Sequence, residues 1–284
     1  MTQGPLEGLL VADFSRVLAG PFATMLLGDL GADVVKVEHP AGGDETRGWG
    51  PPWYGDHSTY YLAVNRNKRS VALDLKTDAG RRAARALATR ADVLVENFKA
   101  GAAERLGLGY KEVGRDNPGL VWCSISGFGR GPGADLPGYD FLVQAMSGLM
   151  SITGPAGGEP TKVGVALVDV LTGLYAFGGV LAALRERDRT GRGQRVEVSL
   201  LGSALASLVN QASSYLCTGR PPRAMGNRHP SITPYETLAT ADRPLVVAVG
   251  NDGQFARLCR VLGLPEAAAD ARFASNADRV ANRD

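Results

Sequence analysis

Cysteine is scarce in this chain of 284 residues: Cys123, Cys217 and Cys259 stand far apart and form no CxxC pair. That spacing argues against a disulfide framework or a thiolate zinc site and reads as reduced thiols of a cytoplasmic protein. Neither sign of charge is in excess. A net charge of +2 removes nucleic acid as the main partner and leaves room only for a local basic patch. His39, His57 and His229 never meet Cys or carboxylates at ligand spacing, so no metal is expected. The opening MTQGPLEGLLVADF has neither a basic n-region nor a long apolar h-region, so no secretory signal is read. Also missing are the GxGxxG dinucleotide loop, the Walker lysine loop, the HExxH helix and the G-x-S-x-G elbow. No Ser/His/Asp set emerges from the pattern either.

What is there is ordinary globular material, 44% hydrophobic and 21% charged, enough for one large core or two smaller ones. One apolar run stands out, VGVALVDVLTGLYAFGGVLAAL at 163–184, and Asp169 is its only charge. The run is long enough to cross a membrane. It carries a carboxylate and several glycines, however, and has no companion span, so a buried core helix from about Val170 is expected, with no membrane partner. An ionised carboxylate is costly to take out of water. Asp169 therefore reads either as the cap of the following helix or as a perturbed nucleophile or acid/base, and the pattern leaves both open.

The first half alternates strand and helix signals. Leu9–Phe14, Asp33–Glu38, Val71–Leu75, Asp92–Glu96 and Leu120–Ile125 read as strands, with helical stretches running to Leu30, opening at Thr77-Asp78 and covering Ala102–Leu106. This is the pattern of βαβ units in an α/β, Rossmann-like parallel sheet. Arg195–Ser199 adds a strand and leads into an apolar helix. From about Gly219 the texture changes to a proline-punctuated loop, two strands joined by a turn at Ala241–Arg243, and a helix capped by Asn251. The expected division is a large domain at 1–219 and the beginning of a smaller α+β domain at 220–284. Two polar segments have functional and plain readings side by side. Asn65–Ser70 (NRNKRS) is a phosphate-holding loop or a solvated turn. Glu96-Asn97-Phe98-Lys99 lies where open α/β sheets bind ligands, or is a simple strand-to-helix turn. Gly127–Gly133 fits no phosphate cradle and reads as a flexible loop.

Together these segments resemble the family III CoA-transferases of CaiB/BaiF type, a group that includes formyl-CoA transferases and 2-methylacyl-CoA racemases. The resemblance rests on GLLVADFSRVLAGP, GADVVKVEHP with GDETRGWGPP, NRNKRSVALDLK, ADVLVENFKAGAAERLGLGY, GYDFLVQAMSGLMSITG, VALVDVLTGLYA, RTGRGQRVEVSL, GNRHPSITPYE and VAVGNDGQF, in that order along nearly the whole chain. It implies an interlocked homodimer whose chains return from the small domain to complete the large one. Against that pattern this sequence stops early and reads as C-terminally shortened.

The resemblance aligns the family nucleophile with Asp169. It puts coenzyme A contacts at Leu18, Ala19, His39, Leu73, Lys76, Asn97, Phe98, Lys99, Arg105 and Tyr139, and Asp140 beside Tyr139 is expected to orient the acyl group. The implied reaction is transfer of CoA from an acyl-CoA, with succinyl-CoA a candidate, to a free carboxylic acid through aspartyl intermediates. Oxalate-using relatives carry glutamine where Leu18 stands and a glycine-rich gating loop not found here, which disfavours oxalate. Racemases of the family place a catalytic histidine where Tyr139 stands, and a phenol titrates too high to replace imidazole at neutral pH. Transfer is thus expected over racemisation, an inactive CoA-binding remnant being the other alternative. His39, Arg47 and Arg228 are candidates for a distal carboxylate of the acyl group.

Overall fold

Residues 4–284 are described by a computed structural model. Contacts divide them into two compact units, residues up to Ser147 with Val163–Ser213, and Gly148–Lys162 with Ser214–Asp284. Residues 148–162 thus pack with the second unit, which differs from a single cut at 219/220.

In the first unit the chain runs β1 (Leu10–Asp13), α1 (Ala19–Asp29), β2 (Asp33–Glu38), a small hairpin of β3 (Trp53–Tyr54) and β4 (His57–Ser58), and α2 (Thr59–Val64). It continues through β5 (Lys68–Ala72), α3 (Asp78–Arg90), β6 (Val93–Glu96), α4 (Ala102–Arg105), α5 (Tyr110–Asp116) and β7 (Val121–Ser126). There follow α6 (Asp140–Met146), α7 (Leu167–Thr190), β8 (Arg195–Ser199), α8 (Leu200–Ser207) and α9 (Val209–Thr218), whose end belongs to the second unit. The six long strands form one parallel sheet in the order β5-β2-β1-β6-β7-β8. This is the doubly wound Rossmann order, and its direction of winding reverses between β1 and β6.

The central strands are apolar because both faces are covered. On one face Ala84 and Ala88 of α3, with Val113 of α5, meet Ala12, Leu94 and Trp122 of the sheet. Small alanines let α3 lie close, and Thr77 caps it by accepting from Gly80 N–H. The apolar run becomes α7, a helix long and apolar enough to cross a membrane. Within this unit it buries a stripe of Val168, Thr172, Ala176, Val180 and Leu184 and packs with α1, α8, β7 and β8. It begins at Leu167 rather than Val170, and ends at Gly191 in the left-handed conformation that glycine adopts readily.

Strand β5 also departs from the pattern, beginning at Lys68 instead of Val71. Its cationic start is a poor apolar signal, but Arg69 pairs with Asp33 of the adjacent β2 and Lys68 with Asp13 of β1, one strand further in.

The second unit contains the antiparallel pair β9 (Tyr235–Leu238) and β10 (Leu245–Ala248), then α10 (Asp252–Val261) and α11 (Asn276–Ala281). Arg279 is buried there, donating to Thr233 O and Phe273 O and pairing with Asp252.

Candidate active site

A ligand crevice is expected at the carboxyl ends of β1 and β6, where the strand order reverses. The loops leaving these strands are stapled together: Arg16 N–H donates to Asn97 Oδ1 at 2.9 Å, and Asn97 Nδ2 returns a bond to Arg16 O at 2.8 Å. Phe14 and Phe98 pack with ring centroids 6.4 Å apart. Beneath Phe98, Glu96 accepts its N–H at 2.7 Å; burial pushes this carboxyl up to about 7, with the Ser124 hydroxyl and the Phe98 N–H partly offsetting.

Under the β1 loop lies a buried charge network. Lys36 donates to Ser15 O and pairs with Asp44 at 2.9 Å, both side chains being essentially inaccessible. Asp13 accepts from Ser15 and Thr24 hydroxyls and pairs with Lys68 at 3.1 Å. Burial alone would raise the Asp13 carboxyl; Lys68, Lys36 and the two hydroxyls outweigh it and hold it at about 2. The network fixes an unfavourable backbone: Val17 sits at φ 68°, left-handed for a β-branched residue, while its N–H donates to Asp44. Leu18 and Ala19, both buried, follow directly at the start of α1.

Asp169 occupies the first turn of α7 without capping it. The N-cap position is Ala166, which has no side chain to serve. The cap comes from another element: Asp140, first residue of α6, accepts from Val168 N–H at 2.8 Å and Asp169 N–H at 3.2 Å. These are the donors that an N-cap side chain would satisfy. Asp140 is itself gripped by fully buried Gln144, whose Nε2 donates to it at 2.6 Å while its Oε1 accepts from Val163 N–H at 2.9 Å. Burial first, then the Asp140 charge, pushes the half-buried Asp169 carboxyl up to about 7. The helix capping read as one option for Asp169 thus falls to Asp140, leaving the Asp169 carboxylate available for chemistry.

Glycines at two close approaches bring these pieces together. A Cβ on Gly173, one turn along α7, would stand 2.7 Å from Ala19 O, so α7 and the start of α1 touch through bare backbone. Gly127 and Gly138 cross at a distance that admits no side chain, closing the base of the loop that delivers Tyr139 and Asp140.

Tyr60 escapes a sequence reading. Burial, then the charges of Asp169, Asp140 and Asp44, push its phenol up to about 12, which puts it within electrostatic reach of the carboxylate pair. Its ring stands edge-on to Trp49 at 5.0 Å. The only signal in the sequence is a Tyr-Tyr step after the Ser58 cap of α2.

The expected CoA contacts fall on one edge of the sheet. Leu18 and Ala19 follow β1, and exposed His39 follows β2. Leu73 and exposed Lys76 follow β5, Asn97, Phe98 and exposed Lys99 follow β6, and exposed Arg105 ends α4. Tyr139 precedes α6 and is 60% exposed. Other candidate residues have partners within the fold. In Asn65–Ser70, Arg66 pairs with Asp29 at the end of α1, Lys68 with Asp13 and Arg69 with Asp33, so its cations are engaged within the fold. Arg47 grips Glu38 through two bonds of 2.7 Å and covers the Tyr61 ring at 3.9 Å; Arg228, in the second unit, pairs with Glu236 and Asp284.

The model of CoA-transferase family III matches residues 6–284. This chain belongs to CoA-transferase family III. The succinate–glutarate CoA-transferase of Agrobacterium fabrum is 50% identical to it over 286 residues, which cover 98% of this chain and 72% of that protein. The succinyl-CoA:glutarate CoA-transferase of Mus musculus is 48% identical over 98% of this chain, which spans 64% of its length. The acetyl-CoA:oxalate CoA-transferase of Acetobacter aceti is 46% identical, over 99% of this chain and 73% of the relative. Among solved structures, a CaiB/BaiF family protein from Brucella suis superposes with a TM-score of 0.86 at 48% identity, covering 99% of this chain and 76% of that one. The family III fold and the parallel sheet with its loops gathered at one edge therefore agree.

Proposed function

We propose that this chain transfers coenzyme A from an acyl-CoA, with succinyl-CoA as donor, to a free carboxylic acid, using Asp169 as a covalent nucleophile. The observation that carries the reading is a carboxylate held at a helix start, relieved of capping by Asp140 and titrating near neutrality. Such a group is ionised in good part at pH 7 yet more basic than a solvated carboxylate, as a nucleophile requires.

An Asp169 oxygen attacks the thioester carbonyl; the C–S bond breaks and CoA leaves as thiolate, giving a mixed anhydride. The thiolate then attacks the aspartyl carbonyl, releasing the donor acid and forming an aspartyl-CoA thioester. The acceptor carboxylate attacks this thioester, again expelling the thiolate, and the thiolate takes the acceptor's acyl carbon and frees Asp169. Every step exchanges one activated acyl bond for another, so water is the reagent to exclude. The Ala19 and Gly20 N–H groups at the start of α1 have no acceptor among the described residues and are the proposed oxyanion donors. The proposed CoA contacts are those gathered on the sheet edge, from Leu18 to Tyr139.

Two relatives named for glutarate support a dicarboxylic acceptor. Leu18 in place of glutamine argues against oxalate, whereas a relative named for oxalate transfer is 46% identical, so oxalate is the acid to compare with glutarate. The assay follows CoA appearing on glutarate, oxalate or other acids from succinyl-CoA, in deuterated water. Acceptor-dependent transfer without deuterium at the α-carbon supports the reading. Rapid α-proton exchange with no acceptor present would make the protein a racemase instead.

A further inference from the structure

Between β1 and α1 the chain reverses within residues 14–18, so tightly that a Cβ on Gly20 would run into the Ser15 side chain. Four successive backbone groups of this loop are taken by side chains from elsewhere. Lys36 of β2 donates to Ser15 O at 2.9 Å, Asn97 after β6 exchanges bonds with the Arg16 N–H and C=O, and Asp44 accepts from Val17 N–H at 3.3 Å. A loop held at each of these groups has one conformation open to it. That conformation is strained at Val17, whose φ of 68° is unfavourable for a branched Cβ. Strain of this kind persists only where the surroundings over-determine it, and it gathers where geometry serves chemistry.

Asp44 is the partner at the strained residue, and it is fully buried. Its Oδ1 serves its own turn, accepting from the Thr46 N–H at 3.0 Å and the Thr46 hydroxyl at 2.7 Å. Its Oδ2 has no part in that turn and is shared by Lys36, at 2.9 Å, and the Val17 N–H. All four groups facing the carboxylate are donors, so an amide in its place would turn its own NH2 on two of them. From Val17 the chain passes through Leu18 straight into Ala19 and Gly20, and Ala19 O lies against Gly173 of α7, one turn beyond Asp169. Resting on the transferase reading, in which the Ala19 and Gly20 N–H groups steady the oxyanion, we propose that Asp44 is a positioning residue of the transfer step. By holding Val17 in the left-handed conformation it sets those N–H groups against the carbonyl that Asp169 attacks.

The test measures kcat, KM for succinyl-CoA and Tm of the full chain, with glutarate as acceptor, for Asp44→Asn alone and combined with Val17→Gly or Val17→Ala. Asp44→Asn is expected to lower kcat by about tenfold to a hundredfold and to leave KM within about twofold, since misaligned oxyanion donors slow the chemistry more than they weaken binding. Glycine takes the left-handed conformation without steric cost. Val17→Gly is therefore expected to recover most of the lost kcat, and Val17→Ala, which keeps the Cβ, little of it. Because Asp44→Asn leaves Lys36 buried without its partner, the same comparison is run on Lys36→Met/Asp44→Asn, which strands no charge and is expected to give the same pattern. An unchanged kcat in folded Asp44→Asn protein, a loss that glycine and alanine recover equally or not at all, or failure of both backgrounds to fold overturns the proposal and leaves Asp44 a stability residue. In each of those cases an Asp169 adduct from succinyl-CoA on the wild type keeps the transferase reading. A wild type that neither transfers CoA nor carries the adduct ends both.

Discussion

At the residue scale two carboxylates have different duties. Asp140 stays an acceptor for the α7 N–H groups, and Asp169, its neighbour in charge, titrates near 7. Adduct formation is therefore expected to rise with pH through an apparent pKa of about 7. Asp140→Asn keeps an acceptor oxygen and removes the charge, so the profile should move to lower pH; an unmoved profile would detach the two groups. The same shift has a stability consequence. The folded value lies above the unfolded value of about 4, so ionising Asp169 costs nothing below pH 4, an increasing amount from pH 4 to about 7, and a constant amount above. Asp169→Asn is expected to raise Tm at pH 8 by roughly 2–4 °C, for about 1 kcal/mol discounted for solvent access, and not at all below pH 4. In the β1 network, Lys36→Met strands a buried Asp44 carboxylate and is expected to cost about 3–5 kcal/mol in denaturant melts, with Lys36→Met/Asp44→Asn costing less than the sum. Asp169 was legible in the sequence because a lone charge in an apolar run is conspicuous. Its cap was not, since Asp140 lies 29 positions away and nothing local announces the pairing.

At the element scale the site depends on α7 lying directly on α1. Gly173 permits that contact. Gly173→Val would push the helices apart at Ala19, and the expected result is a loss of transfer rate of at least tenfold with CoA still bound, because the Asp169 carboxylate moves while the β6 loop does not. Unchanged kinetics would show that the close approach is dispensable. The helices with strong local signals, α3 behind Thr77 and α10 behind Asn251, matched their sequence reading. Elements whose ends are decided by distant partners did not. Strand β5 starts early because Lys68 finds Asp13 on β1, and α7 starts early because Asp140 supplies a cap that Ala166 cannot. Tertiary partners override local propensity at both starts.

At the scale of the whole chain, strand–helix alternation sufficed for the α/β class, and the segment order for the family. The strand order, which sets the switch point between β1 and β6, and the union of 148–162 with residues beyond 213 depend on contacts between segments far apart in sequence. Sequence distance conceals such contacts. The chain spans 72% and 64% of the two glutarate relatives, so its own turnover is a matter for measurement. The most direct measurement is mass spectrometry of the Asp169 peptide after brief incubation with succinyl-CoA and acid quenching. A CoA-sized thioester adduct is expected on Asp169 and is expected to be absent from Asp169→Asn. An unmodified Asp169 peptide from protein that is turning over succinyl-CoA would contradict this.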